Sequence, residues 1–125
     1  MTTAIDRFGA LFILVNNAGV PLVAQSETLE PDKWRALLEI NLTGPFLCAQ
    51  SAPRHMLLAG RGVIINISFV MGHLGMPQRA AYAGSKHGLI GLTKVLASEW
   101  GPAASSSFRS IPVMSRRTSS LVSRN

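Results

Sequence analysis

The sequence is short of several features that would place it in other protein classes. It contains one cysteine, which excludes a disulfide within the chain and a metal site built from several cysteines. No apolar run approaches the roughly 20 residues that a membrane-spanning helix needs. The N-terminal stretch MTTAIDRFGA lacks the charged, apolar and small segments of a signal peptide. We therefore expect a cytoplasmic protein with no membrane partner.

Acidic residues are missing from one end of the chain. Residues 103–125 hold four arginines, eight serines and no acidic residue, whereas residues 1–102 hold eight basic and six acidic residues. A tail of this kind can bind phosphate non-specifically, but without interleaved aromatic residues it offers bases no stacking platform. We expect no nucleic-acid function; the alternative, a DNA-binding tail, predicts salt-sensitive DNA retention. The composition predicts that residues 103–125 are unstructured.

Two apolar runs predict buried strands. LFILVNNAG at 11–19 and VIINIS at 63–68 show no polar alternation, which is typical of strands covered on both faces in a parallel sheet. A Gly-rich loop is predicted at 72–77, after the second run. Because no hairpin signal separates the strands, the chain reads as βαβα units with a parallel sheet.

Helical spacing follows each predicted strand. The first helical segment runs from Pro31 to about Leu58, with a kink or local opening expected at Gly44-Pro45. The second runs from Gln78 to Trp100. Residues 1–102 are therefore expected to form one partial α/β domain.

Tyr82 and Lys86 stand four residues apart near the start of the second predicted helix. Positions i and i+4 share one helix face, so both side chains can reach one pocket. A phenol has a pKa of about 10, and a unit positive charge ~4 Å away at an effective dielectric of ~20 favours phenolate by at most roughly 4 kcal/mol. Such a pair could act as a general acid/base. Taken alone it is a weak signal, because this spacing is common on helix surfaces.

Three motifs precede the pair in a fixed order, NNAG at 16–19, NLTGPF at 41–46 and VMGHLG at 70–75, and the pair itself lies in a fourth, YAGSKHGLIGLTKVLASEW at 82–100. Together they resemble the middle of a short-chain dehydrogenase/reductase, over about residues 5–102. The resemblance implies a partial Rossmann-like, doubly wound parallel sheet. It also implies an NAD- or NADP-dependent oxidoreductase that interconverts a small-molecule alcohol and a carbonyl compound by hydride transfer.

The resemblance assigns roles to three side chains. Tyr82 would exchange a proton with the substrate oxygen. Lys86 would bind the nicotinamide ribose and lower the pKa of the tyrosine, and Asn41 would hold a water in the proton relay. As a second group, the residues expected beside the adenosine ribose of the cofactor are Asn16, Ala18 and Gly19, with Tyr82 and Lys86 also contacting the cofactor.

The substrate-orienting serine is where this chain departs from the family. The family usually reads Asn-x-Ser-Ser, and its catalytic serine falls thirteen residues before the tyrosine, where this chain has Phe69. Ser68 is a doubtful substitute, because neighbouring strand residues point to opposite faces. We expect Phe69 to cost one hydrogen bond to the developing alkoxide, an effect of order 10²–10³ in rate. Phe12 departs as well, since an aspartate is common there.

The resemblance also stops at both ends. The Gly-rich dinucleotide loop of the family is not found, and after Pro102 the chain reads AASSSFRSIPVMSR where the family continues GIRVNAIAPG. We expect a truncated chain with impaired turnover, and we hypothesise that a shifted reading frame in the coding DNA produced the tail.

A non-catalytic fragment of the same fold is the alternative. In the family the helices corresponding to 31–58 and 78–100 pair across a two-fold axis, so a homo-oligomer is expected through them. The three histidines lack ligand spacing, and no metal site is expected.

Overall fold

A computed structural model describes residues 1–69, 75–101 and 108–115 of the chain. In chain order the elements are α1 (Thr2–Phe8), β1 (Ile13–Asn16), a 3₁₀ turn (Ser26–Thr28), α2 (Pro31–Leu38), a π-helical turn (Glu39–Thr43), α3 (Gly44–Ser51), α4 (Pro53–Met56), β2 (Gly62–Phe69), α5 (Ala80–Trp100) and β3 (Phe108–Ser115).

The three strands form one parallel sheet in the order β1-β2-β3. In β1, Ile13 pairs with Val63 and Asn16 pairs with Asn66. Both predicted strands are present: β1 lies within the run at 11–19, and β2 extends one residue beyond each end of the run at 63–68. The parallel α/β architecture expected from the sequence is confirmed, with helices connecting strands that lie side by side.

The core lies between the sheet and one layer of helices. Ile64 of β2 is fully buried and packs in a cluster with Ala49, Ala52, Met56 and Leu96, which come from α3, α4 and α5 or lie between them. On the opposite face of the sheet, Ile13 is 60% exposed and Val15 is 51% exposed. The described part of the chain therefore covers one side of a parallel sheet with helices and leaves the other side open.

Gly62 marks the closest approach between β2 and the helical layer. A Cβ atom placed on Gly62 would lie 2.6 Å from the Cβ of Met56, a distance that real Cβ atoms essentially never show. Met56 is fully buried and cannot move aside cheaply. Glycine at this position is what allows α4 and β2 to meet.

The first helical segment opens one turn before the predicted kink. α2 ends at Leu38, the chain widens into the π-helical turn Glu39–Thr43, and α3 begins at Gly44 with Pro45 in its first turn. Proline has no N–H to donate and its ring crowds the carbonyl four residues earlier, which here belongs to Asn41. The local opening of the helix follows from that crowding.

Part of the segment expected to be unstructured, Phe108–Ser115, forms β3 and pairs with β2 along its whole length. The exposed edge of β2 presents backbone N–H and C=O groups that a strand can satisfy, and this segment supplies β-forming residues. Pro112 is tolerated because β3 has one neighbour in the described sheet. Residues 102–107 and 116–125 lie outside the described residues. Within the described ranges, no helix has the length and apolar character of a membrane span.

Candidate active site

Helix α5 presents Tyr82 and Lys86 on the same side. The Nζ of Lys86 lies 5.9 Å from the centroid of the Tyr82 ring. Tyr82 is half-buried, whereas Lys86 is only 4% exposed. The structure thus brings together the two residues that the i, i+4 spacing placed on one face.

The amine of Lys86 is held at the carboxyl end of β2. Its Nζ donates a hydrogen bond of 2.8 Å to the backbone carbonyl of Ile67. Removal from water disfavours the charged form, and this burial lowers the pKa of the Lys86 amine below its ordinary value of 10.5. The carboxyl ends of parallel strands are where ligands of open α/β sheets bind, so the amine stands at the expected edge.

Asn41 joins the loop after β1 to helix α5. Its side chain is fully buried in the π-helical turn. The Oδ1 accepts a 2.8 Å hydrogen bond from the N–H of Val20, and the Nδ2 donates to the carbonyl of Val20 at 3.0 Å. The Nδ2 also donates to the Oγ of Ser85 at 3.3 Å. The widened turn therefore directs this amide toward both neighbouring elements.

Gly19 closes the third side of the site. A Cβ atom built on Gly19 would lie 3.4 Å from the Oδ1 of Asn41 and 3.5 Å from the Nζ of Lys86. The bare backbone thus leaves room beside the amine that a side chain would fill. Gly19 and the preceding Ala18 are both exposed just beyond the end of β1. A small polar group could enter here and reach the amine.

Asn16 is occupied with bonds inside the sheet. Its side chain is buried, and its Nδ2 donates to the Oδ1 of Asn66 at 2.8 Å and to the carbonyl of Pro45 at 3.2 Å. These bonds tie β1 to β2 and to α3. The structure therefore places Asn16 beneath the turn that carries Ala18 and Gly19, and its expected contact with a cofactor stays a prediction.

Ser68 also bonds to the protein itself. It is 1% exposed, and its Oγ donates at 3.4 Å to the backbone carbonyl of Lys86, linking β2 to α5. A substrate-orienting role for Ser68 stays a prediction. The side chain of Phe69, and residues 72–74 of the predicted Gly-rich loop, lie outside what the structure describes.

Sequence reasoning missed a chain of buried polar groups behind the site. The Nδ2 of Asn66 donates to the Oγ1 of Thr93 at 2.9 Å, and Thr93 donates to the carbonyl of Leu89 at 2.6 Å. Thr93 lies seven residues after Lys86, two turns along the same helix face. That spacing was the signal in the sequence from which Thr93 could have been placed behind the site. Within residues 1–69, 75–101 and 108–115, no cluster of three or more metal-ligating side chains is found.

The comparisons with known proteins point to one family. The model of that family, described as short chain dehydrogenase, matches residues 1–111. Trans-4-hydroxycyclohexanecarboxylate dehydrogenase of Sinomonas cyclohexanicum is 48% identical over 99 residues, which are 79% of this chain and 38% of that protein. D-threitol dehydrogenase of Mycolicibacterium smegmatis is 45% identical over 95 residues, covering 76% and 36% of the two chains.

Solved structures give the same result. A gluconate 5-dehydrogenase from Burkholderia cenocepacia, in complex with NADP and tartrate, superposes with a TM-score of 0.83 at 39% identity, over 89% of this chain and 42% of that one. A short-chain dehydrogenase from Streptomyces avermitilis gives a TM-score of 0.85 at 29% identity, over 94% and 43%. The chain therefore spans about two fifths of the length of the proteins it matches.

Proposed function

Because the chain belongs to the short-chain dehydrogenase family, we propose that it carries the proton-transfer site of an NAD- or NADP-dependent oxidoreductase. Its substrates are small molecules in which an alcohol and a carbonyl group interconvert. The curated relatives are named as dehydrogenases of hydroxyl compounds. The observation that carries the proposal is the buried amine of Lys86, 5.9 Å from the phenol ring of Tyr82 at the carboxyl end of β2.

Tyr82 is the proposed general acid/base. Its hydroxyl donates a proton to the substrate oxygen during carbonyl reduction and takes it back during alcohol oxidation. Lys86 supports the phenolate by charge attraction, which is strong in a site removed from water.

The residues around Gly19 fit a nicotinamide cofactor. The space beside the Lys86 amine, which a Cβ on Gly19 would fill, can admit a ribose hydroxyl as acceptor for the Nζ. Asn41 holds the loop that forms this space through its two bonds to Val20. A nicotinamide bound there supplies the hydride, while the residues of this chain bind it and move the proton.

The residue at position 69 bears on the proposed rate of turnover. With no serine hydroxyl at that position to steady the substrate oxygen, we propose that turnover is low, and that Phe69→Ser raises it by about 10²–10³. The rate of carbonyl reduction, monitored as consumption of NADPH, measures the effect of this substitution. An unchanged rate for Phe69→Ser contradicts the proposed role of that position.

Cofactor binding by the purified 125-residue chain tests the function directly. We expect saturable NADPH binding by titration calorimetry, and a loss of about tenfold or more in affinity for Lys86→Met, which removes the donor facing Gly19. Lys94→Met, on the exposed side of the same helix, is the matched control and should bind as the wild type does. If no variant binds NADH or NADPH, the oxidoreductase proposal fails.

A second candidate function is self-association without catalysis. The helical layer exposes Ile40 at 44%, Leu47 at 52% and Val95 at 53%, and a paired helical face would cover such side chains. We propose a homo-oligomer through the helices at about 31–58 and 78–100. In sedimentation velocity, Leu47→Lys should lower the mass to that of a monomer, whereas Val15→Lys, on the open sheet face, should not. The reverse result places the interface on the sheet.

A further inference from the structure

Ser85 is a fully buried hydroxyl beside the proposed site. Its Oγ donates a 2.8 Å hydrogen bond to the backbone carbonyl of Tyr82, three residues earlier in α5. The same oxygen accepts the 3.3 Å bond from the Nδ2 of Asn41. A serine hydroxyl has one proton to give, so its donor is fully used.

Ser85 completes a hydrogen-bonded series across three elements. The series runs from the backbone of Val20, in the loop after β1, through the side chain of Asn41 in the π-helical turn, to Ser85 in α5 and on to the carbonyl of Tyr82. The two protons on the Nδ2 of Asn41 go to Val20 and Ser85. The elements that carry Gly19, Asn41 and the Tyr82/Lys86 pair are thus joined through one amide and one hydroxyl.

On this side of α5, two glycines meet large side chains of the neighbouring elements. Gly84 faces the ring of Trp34 in α2, and Gly88 faces Leu42 in the π-helical turn. Side-chain dispersion against bare helix backbone holds the helices together but is non-directional. Hydrogen bonds are directional and weaken steeply when misaligned. The bond between Asn41 and Ser85 therefore supplies a directional restraint on α5 where it passes the site.

We propose that Ser85 is a positioning residue, whose hydroxyl sets where Tyr82 and Lys86 stand relative to Asn41 and the turn at Gly19. The inference rests on the roles proposed above for Tyr82 and Lys86. It adds a residue that contacts neither substrate nor cofactor and acts through the backbone of Tyr82 and the amide of Asn41.

Thr93 provides a matched control eight residues along the same helix. Its Oγ1 accepts from the Nδ2 of Asn66 and donates to a carbonyl one turn earlier, as Ser85 does with Asn41. It is equally buried, at 1% exposure. Ser85→Ala and Thr93→Val each remove a buried hydroxyl and leave an asparagine amide short of one acceptor. We expect similar losses of stability from both, but a change at the site from Ser85→Ala only.

Tyr82 supplies the readout, because it is the single tyrosine of the chain. Phenolate formation, followed by ultraviolet absorbance against pH, measures the pKa of this phenol in the full chain. At a separation of about 6 Å, one ångström of added distance from a positive charge raises a phenol pKa by about 0.3 pH units at an effective dielectric of ~20. Ser85→Ala should raise the titration midpoint by about that amount, and Thr93→Val should leave it at the wild-type value.

Three results overturn the inference. The first is an unchanged midpoint in Ser85→Ala. The second is an equal shift in both variants, which would make the effect a general loosening of α5. If Ser85→Ala does not fold, Ser85→Cys replaces it, because a thiol fills the same space but is a weak donor and acceptor. The third result is a wild-type midpoint in Ser85→Cys.

Parallel NADPH titrations keep this inference separate from the proposed function. If the wild-type chain binds no cofactor, the oxidoreductase proposal fails, while the phenol titration still decides the role of Ser85. If the wild type binds cofactor but the titration midpoint is unchanged in Ser85→Ala, only the positioning role of Ser85 is contradicted.

Discussion

Asn16 and Asn66 lie opposite each other in β1 and β2, and the Nδ2 of Asn16 donates to the Oδ1 of Asn66 at 2.8 Å. Asn66 passes the connection on to Thr93 in α5. A fully buried amide thus joins the sheet to the helix that carries Tyr82 and Lys86. Each partner of Asn66 depends on it for one bond inside a region closed to water.

Replacing Asn66 should therefore destabilise the fold. Asn66→Ala leaves buried polar groups without a partner, and we expect a loss of about 1–3 kcal/mol in the free energy of unfolding, measured with urea. Asn17→Ala, an exposed asparagine at the end of β1, should change it by less than about 0.5 kcal/mol. Equal losses in the free energy of unfolding from the two variants would contradict the expected contribution of the buried amide. Combining Asn66→Ala with Thr93→Val should cost less than the two separate losses together.

A methyl group at Gly19 should separate binding from folding. Gly19→Ala places its Cβ 3.5 Å from the Nζ of Lys86, an ordinary contact that the fold can accept but that fills the proposed ribose space. We expect NADPH affinity to fall about tenfold, equivalent to about 1.4 kcal/mol, with the urea midpoint nearly unchanged. Gly91→Ala meets nothing within 4 Å and serves as the control for adding a methyl group. Unaltered NADPH affinity in Gly19→Ala would remove Gly19 from the cofactor site.

Lys86 should give stability a recognisable pH dependence. Because burial lowers the pKa of the folded amine below 10.5, the unfolded chain binds more protons at pH values between the folded and unfolded pKa. The free energy of unfolding should then rise with pH across that window, and the full penalty of burying the charge is present below it. Lys86→Met should lack this rise. Urea unfolding of both proteins across the alkaline range measures the difference, and parallel curves would contradict the expectation.

Gly62 should tolerate substitution poorly. Gly62→Ala drives a Cβ to 2.6 Å from that of Met56, and overpacking of this kind costs about 1–3 kcal/mol. Gly91→Ala, in the middle of α5 with open space around it, should instead stabilise by about 0.5–1 kcal/mol. Thermal unfolding of both variants checks the pair. A Gly62→Ala protein as stable as the wild type would mean that α4 can move away from β2.

Much of the fold could be predicted because its signals are local. The apolar runs at 11–19 and 63–68, which overlap Ile13–Asn16 and Gly62–Phe69, have the composition of strands buried in a parallel sheet, and the helical spacing after Gln78 leads into α5. That Tyr82 and Lys86 share one side of α5 was predictable for the same reason, since four residues of helix fix the side on which they lie.

The rest depended on contacts that spacing does not encode. Asn41 and Ser85 are 44 residues apart in the chain, and nothing local announces that a π-helical turn directs one amide toward the other. β3 was missed because composition weighs serine and arginine against structure, whereas the unpaired edge of β2 favours any segment that can complete its ladder.

The π-helical turn at Glu39–Thr43 fixes the number of residues that can stand between α2 and α3. A turn of this type holds one residue more than a regular α-helical turn. Deleting a residue just before Asn41 would turn the helix on one side of the cut by about 100° relative to the other side. The amide would then swing away from Val20, so this stretch should tolerate swaps of side chain far better than any change in residue number.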